Sequence, residues 1–211
     1  MQVELQTSAG SIAEMERNAA LAALTCRGNA EKEHVPSEVL GRIIKAGHES
    51  VLEHITLTYS IKGISRACLQ ELARHRHLSL SVESTRYTLR KTFDIWETSD
   101  DVPCLPEGIN DYDGDYGIYG NLRLFYLSIL RQLSLYEKVP NDELKYYLPE
   151  LWPTNLILTS NIRELRHILR LRTAPAALKE FRDLAHALYD AVPDQFKYLL
   201  RDCVHEEASH E

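Results

Sequence analysis

A strict alternation of apolar and polar residues at 55–62 constrains the fold more than any other feature. Its apolar members are Ile55, Leu57, Tyr59 and Ile61, and its polar members are Thr56, Thr58, Ser60 and Lys62. A period of two predicts a β-strand with one face buried and the other exposed to solvent. We therefore expect a half-buried strand over these residues.

Most of the other periodic segments have helical spacing. Ser11 and Glu14 have the spacing of a capping box, which predicts the start of a helix that ends near Cys26. Pro36 and Gly47 bound a second helix, because proline is favoured in the first turn and glycine just after the last. Further helices are predicted from Gly63 to near Arg74, at about 121–137, 141–148 and 176–190, and in a segment that ends before Pro175.

Short strands are predicted at 2–7 and 78–82, and a short apolar run at 155–158 follows two prolines that break the chain. The expected fold class is α+β: a helix-rich chain with a small mixed or antiparallel sheet, its strands in the first half.

The length of 211 residues suits a single domain over 1–211. Four scattered cysteines without CxxC spacing favour a reducing, cytoplasmic location. No run of 18 apolar residues occurs, which argues against a membrane span. The net charge of −7 argues against a dedicated nucleic-acid-binding protein, which is usually basic.

The negative charge is concentrated in an insert at about 92–121, which has eight acids and no Lys or Arg. Its content of Gly, Asp, Tyr and Pro predicts a long surface loop. Taking its acids from the 31 of the whole chain leaves 23 acidic residues against 24 Lys and Arg. The net charge therefore excludes a general polynucleotide surface but not a focused site for a small anion.

Two clusters of basic residues lie on either side of this acidic insert. The first comprises Arg66, Arg74, His75, Arg76, His77, Arg86, Arg90 and Lys91, and the second comprises Arg163, Arg166, His167, Arg170 and Arg172. Guanidinium groups bind phosphate bidentately, so such clusters favour an anion site. Pairing with carboxylates of a neighbouring chain is an equally weighted alternative. Helical spacing predicts that Arg163, His167 and Arg170 share one face, opposite an apolar stripe.

Three ordered blocks of the sequence resemble the flavin-dependent thymidylate synthase family. Arg74-His75-Arg76 followed after seven residues by Ser84 is similar to its RHR-x7-S motif. Residues 47–54, GHESVLEH, are similar to its GHxSxxEH block. Leu148-Pro149 and Asn161-x-Arg163 with His167 and Arg172 fit its C-terminal pattern. The resemblance covers roughly residues 36–175 and implies the fold of that family.

The resemblance implies a set of contacts to FAD and a set of contacts to dUMP. The residues implied to bind FAD are His48, Ser50, Arg74, His75, Arg76, Asn161, Arg163 and His167. The residues implied to bind dUMP are Glu71, Arg74, Ser84, Arg86, Lys145 and Arg172. Arg172 is the implied catalytic residue, because a cation beside the uracil promotes ionisation at nitrogen 3.

This chain departs from the family pattern at three positions. Ser81 replaces the usual Asn, Val82 replaces a common acid or amide, and Lys145 replaces an Arg that binds nucleotide. A lysine is a point charge rather than a bidentate fork. Together with the apolar Val82, it puts the nucleotide contacts implied at 82 and 145 in question.

The implied reaction is the reductive methylation of dUMP to dTMP. Methylenetetrahydrofolate would donate the carbon unit, and FAD reduced by NADPH would supply the hydride. The resemblance also implies a homotetramer whose subunits share active sites, with no nucleic-acid or membrane partner.

No metal site is expected, because the histidines lack partners at ligand spacing. The acidic run at 111–115 resembles a calcium loop but has Tyr116 and Leu122 where an EF-hand needs Gly and Glu. Pro103-Cys104 resembles the nucleophile of flavin-free thymidylate synthases but is followed by Leu105 instead of His.

Two other functions fit the basic clusters. One is a noncatalytic RNA- or phosphate-binding module. The shortage of aromatic residues among the arginines argues against it. The other is a flavoenzyme that acts on another nucleotide.

Overall fold

The computed structural model describes residues 1–98, 124–125, 128–129, 131–132 and 139–205, and for 92–98 it describes the backbone alone. Most of the acidic insert predicted at about 92–121, with the calcium-like run and Cys104, lies outside the described residues. The same holds for most of the helix predicted at 121–137.

Four antiparallel strands form one sheet in the order β1-β2-β4-β3. The strands are β1 (Gln2–Leu5), β2 (Thr56–Ser65), β3 (Leu78–Val82) and β4 (Pro153–Asn161). The predicted α+β class with a small antiparallel sheet is therefore confirmed. The expectation that all strands lie in the first half was wrong, because β4 pairs with both β2 and β3.

The apolar run at 155–158 thus belongs to a strand near the centre of the sheet. Leu156 and Leu158 are buried, whereas Ile157 between them is 41% exposed. An apolar residue on the exposed face removes the alternation that would have identified the strand.

Seven α-helices have both ends within the described residues, and the residues described at 124–125, 128–129 and 131–132 are helical as well. The α-helices are α1 (Ala9–Thr25), α2 (Pro36–Lys45), α3 (Arg66–Ala73), α4 (Thr85–Thr98), α5 (Asn141–Leu144), α6 (Ile162–Arg172) and α7 (Lys179–Asp190). The 3-10 turns are Glu49–His54, Lys145–Tyr147, Asp194–Leu199 and Arg201–Cys203. None of the helices described is long and apolar enough to cross a membrane.

Two predicted boundaries were wrong for local reasons. Helix α1 is capped by Ser8, whose Oγ accepts a hydrogen bond from the amide of Ser11 at 3.2 Å, so Ser11 lies inside the helix. Gly63 does not begin a helix. It lies in β2 with a φ of 72°, where the register with β4 shifts, and α3 starts after Ser65.

The core lies between one face of the sheet and the helices that contact it, chiefly α1, α6 and α7. The apolar members of the alternation at 55–62 are all fully buried. Each fully buried Leu or Ile contributes about 1.5–3 kcal/mol by leaving water. On the opposite face Thr58 and Thr159 share a hydrogen bond at 2.9 Å between their hydroxyls. This face is polar, as the sequence predicted.

Two strand-to-helix junctions position the functional side chains. Asn161 ends β4 and caps α6, because its Oδ1 accepts from the amide of Glu164 at 2.8 Å. Ser65 ends β2 and caps α3 in the same way, through the amide of Cys68 at 3.0 Å. The last residue of α6, Arg172, reaches Glu71 of α3, so the two helices that carry the basic clusters meet there.

Candidate active site

A cavity of about 510 Å³ opens beside the first half of α6. Its lining residues are Glu49, Glu53, His77, Asn161, Arg163, Glu164, His167 and Arg170. Three of them, Asn161, Arg163 and His167, are residues predicted to bind FAD. The cavity lies within the range of about 300–1,000 Å³ that ligand sites occupy.

The cationic face of α6 forms one wall of this cavity, as its spacing predicted. Arg163, His167 and Arg170 are exposed on one side of the helix, whereas the apolar stripe at 162, 165, 168 and 169 is buried. Arg166 is the exception among the cations, because its side chain is only 1% exposed. It donates to both carboxylate oxygens of Asp202 at 2.6 Å and therefore stabilises the packing of the chain end.

The cations of α6 are paired with acids from the 3-10 turn at Glu49–His54. Arg163 contacts Glu53 at 2.5 Å, and both Arg166 and Arg170 contact Glu49, at 3.0 and 2.5 Å. Burial tends to raise the pKa of Glu49, but the hydrogen bonds and charges of Arg170 and Arg166 outweigh it and hold the pKa below its ordinary value. These three arginines are therefore ion-paired with acids of their own chain.

A second group of predicted residues forms a chain of hydrogen bonds behind this wall. Glu164 Oε1 lies 3.1 Å from His75 Nδ1, and Arg172 Nε lies 3.2 Å from His75 Nε2. Arg172 Nη1 donates to Glu71 Oε2 at 3.0 Å, and Arg74 contacts the other oxygen of Glu71 at 3.3 Å. Because Glu164 also lines the cavity, the chain connects the predicted FAD side with the predicted dUMP residues Glu71, Arg74 and Arg172.

Aromatic rings complete the surroundings of this chain. The Arg172 guanidinium lies 4.6 Å above the centre of the Phe181 ring, a favourable cation–π distance. The ring of His75 meets those of His167 and Phe181 edge-on at 5.7 and 5.9 Å. Burial lowers the pKa of His75 and the charge of Arg172 lowers it further, so the pKa stays below its ordinary value although Glu164 opposes the shift.

A third group, Arg86 and Lys145, lies on the exposed surface where α4 and α5 meet. Asp142 contacts Arg86 Nε at 3.2 Å with one oxygen and Lys145 Nζ at 3.4 Å with the other. The side chain of Asn141 donates to the carbonyl of Arg86 at 2.7 Å and joins the two segments. Ser84, also predicted to bind dUMP, is exposed one residue before α4 begins.

Four predicted FAD residues are exposed and do not line the cavity. They are His48, Ser50, Arg74 and Arg76. Within one chain the predicted residues therefore do not form one site. They lie in the cavity wall, in the chain through His75 and in the pair held by Asp142, and the remaining ones are exposed outside these three groups: His48, Ser50, Arg76 and Ser84.

The acids at this site are the residues that the sequence reasoning missed, except for Glu71. Glu49 and Glu53 lie within the GHESVLEH block, and Glu164 directly follows Arg163, so their place in the motifs was visible. Their pairing was not visible, since Glu49 lies 117 and 121 residues from Arg166 and Arg170. No motif or spacing in the sequence indicated a role for Asp142 or Phe181.

Among the residues described, His75, Glu164 and His167 form a group whose ligand atoms all lie within 4.8 Å of one another. Hydrogen bonds account for this group, because Glu164 and Arg172 already engage both nitrogens of His75. The cation Arg172 beside it also disfavours a second positive charge. The expectation of no metal stays a prediction.

The sequence and fold match one protein family. A family model described as thymidylate synthase complementing protein matches residues 9–196. The flavin-dependent thymidylate synthase of Campylobacter jejuni (strain RM1221) is 39% identical over 191 residues, which is 86% of this chain and 85% of the relative. That of Wolinella succinogenes is 40% identical over 181 residues, 85% of each chain.

A solved structure also matches the fold of this chain. The crystal structure of thymidylate synthase X from Helicobacter pylori with FAD and dUMP matches with a TM-score of 0.77 and 33% identity, over 98% of this chain and 100% of that chain. The chain belongs to the flavin-dependent thymidylate synthase family.

Proposed function

We propose that this chain catalyses the reductive methylation of dUMP to dTMP, with FAD as cofactor and with methylenetetrahydrofolate and NADPH as co-substrates. The observation that carries the proposal is the placement of Arg172. Its guanidinium is held by Glu71, His75 and Phe181 and is linked through His75 to Glu164, which lines the cavity, in a chain of this family. A noncatalytic phosphate-binding module does not explain why one arginine is held so closely.

The donors around the cavity fit FAD. Arg163, Arg170, His77 and His167 present positive or hydrogen-bonding groups. Arg side chains bind the oxygens of a diphosphate well, and here the diphosphate competes with Glu53 and Glu49 for the two arginines. The Asn161 amide lies at the N-terminus of α6, where its oxygen caps the helix and its Nδ2 has no hydrogen-bond partner among the described residues. When bound, FAD supplies the hydride of the reaction.

Arg172 acts on the uracil in this proposal. Its side chain is 18% exposed, so a bound base meets a guanidinium that is partly shielded from water but still accessible. A positive charge near nitrogen 3 and its neighbouring oxygen stabilises the negative charge that develops on the ring. Carbon 5 becomes more nucleophilic as a result.

Arg86, Lys145 and Ser84 receive the phosphate of dUMP in this proposal. In the free chain Asp142 holds both cations, and a dianionic phosphate competes with that single carboxylate. Lys145 contributes a point charge where the family has a guanidinium fork. Val82 is 36% exposed and offers no polar group for a nucleotide contact.

The exposed residues His48, Ser50, Arg74 and Arg76 complete the site from another subunit in our proposal. A homotetramer with shared active sites explains why these side chains lie apart from the cavity within one chain. We also propose that 1–211 forms one domain with the acidic insert at its surface, and that the enzyme works in the cytoplasm.

Purified protein tests the proposal after incubation with FAD. We expect an oxidised flavin spectrum after removal of free FAD, and dTMP formation that requires dUMP, methylenetetrahydrofolate and NADPH together. Competition with UMP and dCMP separates dUMP from another nucleotide as the substrate. Protein that retains no flavin and forms no dTMP would contradict the proposal.

A further inference from the structure

We propose that Glu164 is a positioning residue that orients the guanidinium of Arg172 through His75. The inference rests on the proposed function, in which Arg172 contacts the substrate. Glu164 itself contacts neither Arg172 nor the expected place of the uracil. Its effect passes through an imidazole that is hydrogen-bonded on both sides.

The hydrogen bonds determine which nitrogen of His75 carries the proton. An arginine Nε is always a donor, so His75 Nε2, which lies 3.2 Å from it, is the acceptor. A neutral imidazole has one donor and one acceptor, so the proton is on Nδ1 and is donated to Glu164 Oε1 at 3.1 Å. Removing the carboxylate removes the partner that selects this tautomer.

Burial makes this arrangement rigid. The side chains of His75 and Glu164 are only 4% and 8% exposed, so water cannot easily replace either partner. The amide of Glu164 donates to Asn161 Oδ1, which fixes the first turn of the helix that carries it. Glu164 lies in the first turn of α6 and Arg172 is its last residue, and His75 connects them from outside the helix.

The arrangement leaves part of Arg172 free for a ligand. Of its five N–H donors, one on Nε is directed to His75 and one on Nη1 to Glu71. Phe181 covers one face of the guanidinium. Within the described part of the chain Nη2 has no hydrogen-bond partner, so its two N–H groups remain available to a ligand while Nε and Nη1 are held.

The chain requires a neutral His75. A proton on Nε2 would place two donors against each other and push Arg172 away. The charged and titratable groups that face His75 are Glu164, His167 and Arg172, all from α6, while Phe181 from α7 carries no charge. Glu71 of α3 lies on the far side of Arg172. Only Glu164 favours protonation, and its negative charge raises the pKa of His75 against the effect of burial.

Two substitutions of Glu164 test the proposal, with Glu180→Gln as the matched control. Glu180 is also 7% exposed and also accepts hydrogen bonds, from Ser65, but it does not contact His75. Glu164→Leu removes the acceptor, and Glu164→Gln keeps an acceptor oxygen but removes the charge. The measurements are kcat, KM for dUMP, the pH profile of kcat, and the thermal midpoint.

For Glu164→Leu we expect kcat to fall about 10- to 100-fold with a smaller change in KM, because orientation is lost rather than binding. For Glu164→Gln we expect the acid limb of the pH profile to move to lower pH, because the charge that favours His75 protonation is gone. Glu180→Gln should leave the pH profile unchanged.

Nitrogen NMR of the histidine rings tests the tautomer without any turnover. In the wild-type protein without ligands, the signal that disappears in His75→Gln should show a protonated Nδ1 and an unprotonated Nε2. An Nε2-protonated His75 would overturn the proposal even if the enzyme is active. The expected tautomer in a protein that makes no dTMP would instead contradict the proposed function alone.

Two further outcomes would also overturn the positioning role. One is a wild-type kcat and pH profile in both Glu164 variants. The other is an equal loss of kcat in Glu164→Leu and Glu180→Gln at equal loss of thermal midpoint, which would reduce Glu164 to a stabilising residue.

Discussion

Arginine is used in opposite ways at the two ends of the expected dUMP site. Arg172 is 18% exposed and contacts a histidine, a carboxylate and an aromatic ring, whereas Arg86 is 63% exposed and its side chain contacts Asp142 and the ring of Tyr87. A partly buried guanidinium with several partners has a defined orientation. An exposed ion pair contributes only about 0–1 kcal/mol and exchanges partners readily.

This difference matches two chemical tasks. A group that polarises the uracil must be preorganised, since reorientation during the reaction costs free energy. A group that binds a phosphate needs mainly charge and can give up its carboxylate partner when the phosphate arrives. The same contrast applies to Arg166, which is buried and structural, and its neighbour Arg163, which is exposed in the cavity.

Arg172→Lys should give the largest effect on this contrast. A lysine cannot donate to His75 and Glu71 at once in the planar geometry of a guanidinium, so kcat should fall about 100-fold or more. The flavin spectrum should remain, because no cavity-lining residue changes. Turnover close to that of the wild type would contradict the role of Arg172.

Arg86→Ala should affect binding rather than turnover. Loss of one charge-assisted hydrogen bond to phosphate should raise KM for dUMP about 10- to 100-fold with little change in kcat. The thermal midpoint should stay the same, because the pair with Asp142 is exposed. Steady-state kinetics and a thermal melt check both expectations, and a large fall in kcat at unchanged KM would remove the distinction between the two ends.

Asp142→Asn should have a smaller effect in the opposite direction. Without the competing carboxylate, Arg86 and Lys145 should bind dUMP about two- to fivefold more tightly. Glu143→Gln is a suitable control, since Glu143 is exposed on the same helix and forms no ion pair with any residue that the structure describes. Weaker binding in Asp142→Asn would show that Asp142 orients the two cations rather than competing with the phosphate.

The smallest expected effect is on stability in acid. The pKa of His75 is lowered on folding, so the unfolded chain takes up this proton at a higher pH than the folded chain. The free energy of unfolding should therefore decrease as pH falls below about 6.5, until the pH passes the folded pKa. Urea unfolding between pH 8 and 5 should show this loss in the wild type and less of it in His75→Gln. Parallel curves for the two proteins would argue that His75 does not contribute.

The strand at 55–62 and the cationic face of α6 could be predicted because each depends on a period within one segment. The central strand β4 could not, since Ile157 is apolar on the exposed face. The helix α4, Thr85–Thr98, extends over 92–98, the first residues of the segment that was expected to be an acidic loop. Only two of the eight acids, Asp94 and Glu97, lie in this part, so the composition of the whole segment did not describe it.

The motifs of the site could be predicted from the sequence, but the pairing of its acids with its histidine and arginines could not. The blocks identified the family, and their arginines stay predicted site residues. His75 and Glu164 lie 89 residues apart, and Arg172 and Glu71 lie 101 apart. Contacts between separate segments depend on how β4 and α6 pack against α3, which no local pattern contains. The acids that pair with the basic clusters were therefore the part that sequence reasoning missed.

A crystal structure of the chain with FAD and dUMP tests the central claim most directly. We predict that the uracil contacts the free Nη2 of Arg172, while the phosphate lies on Arg86 and Lys145 in place of Asp142. A dUMP molecule whose phosphate binds Arg163 and Arg170, with Arg172 away from the base, would contradict the account.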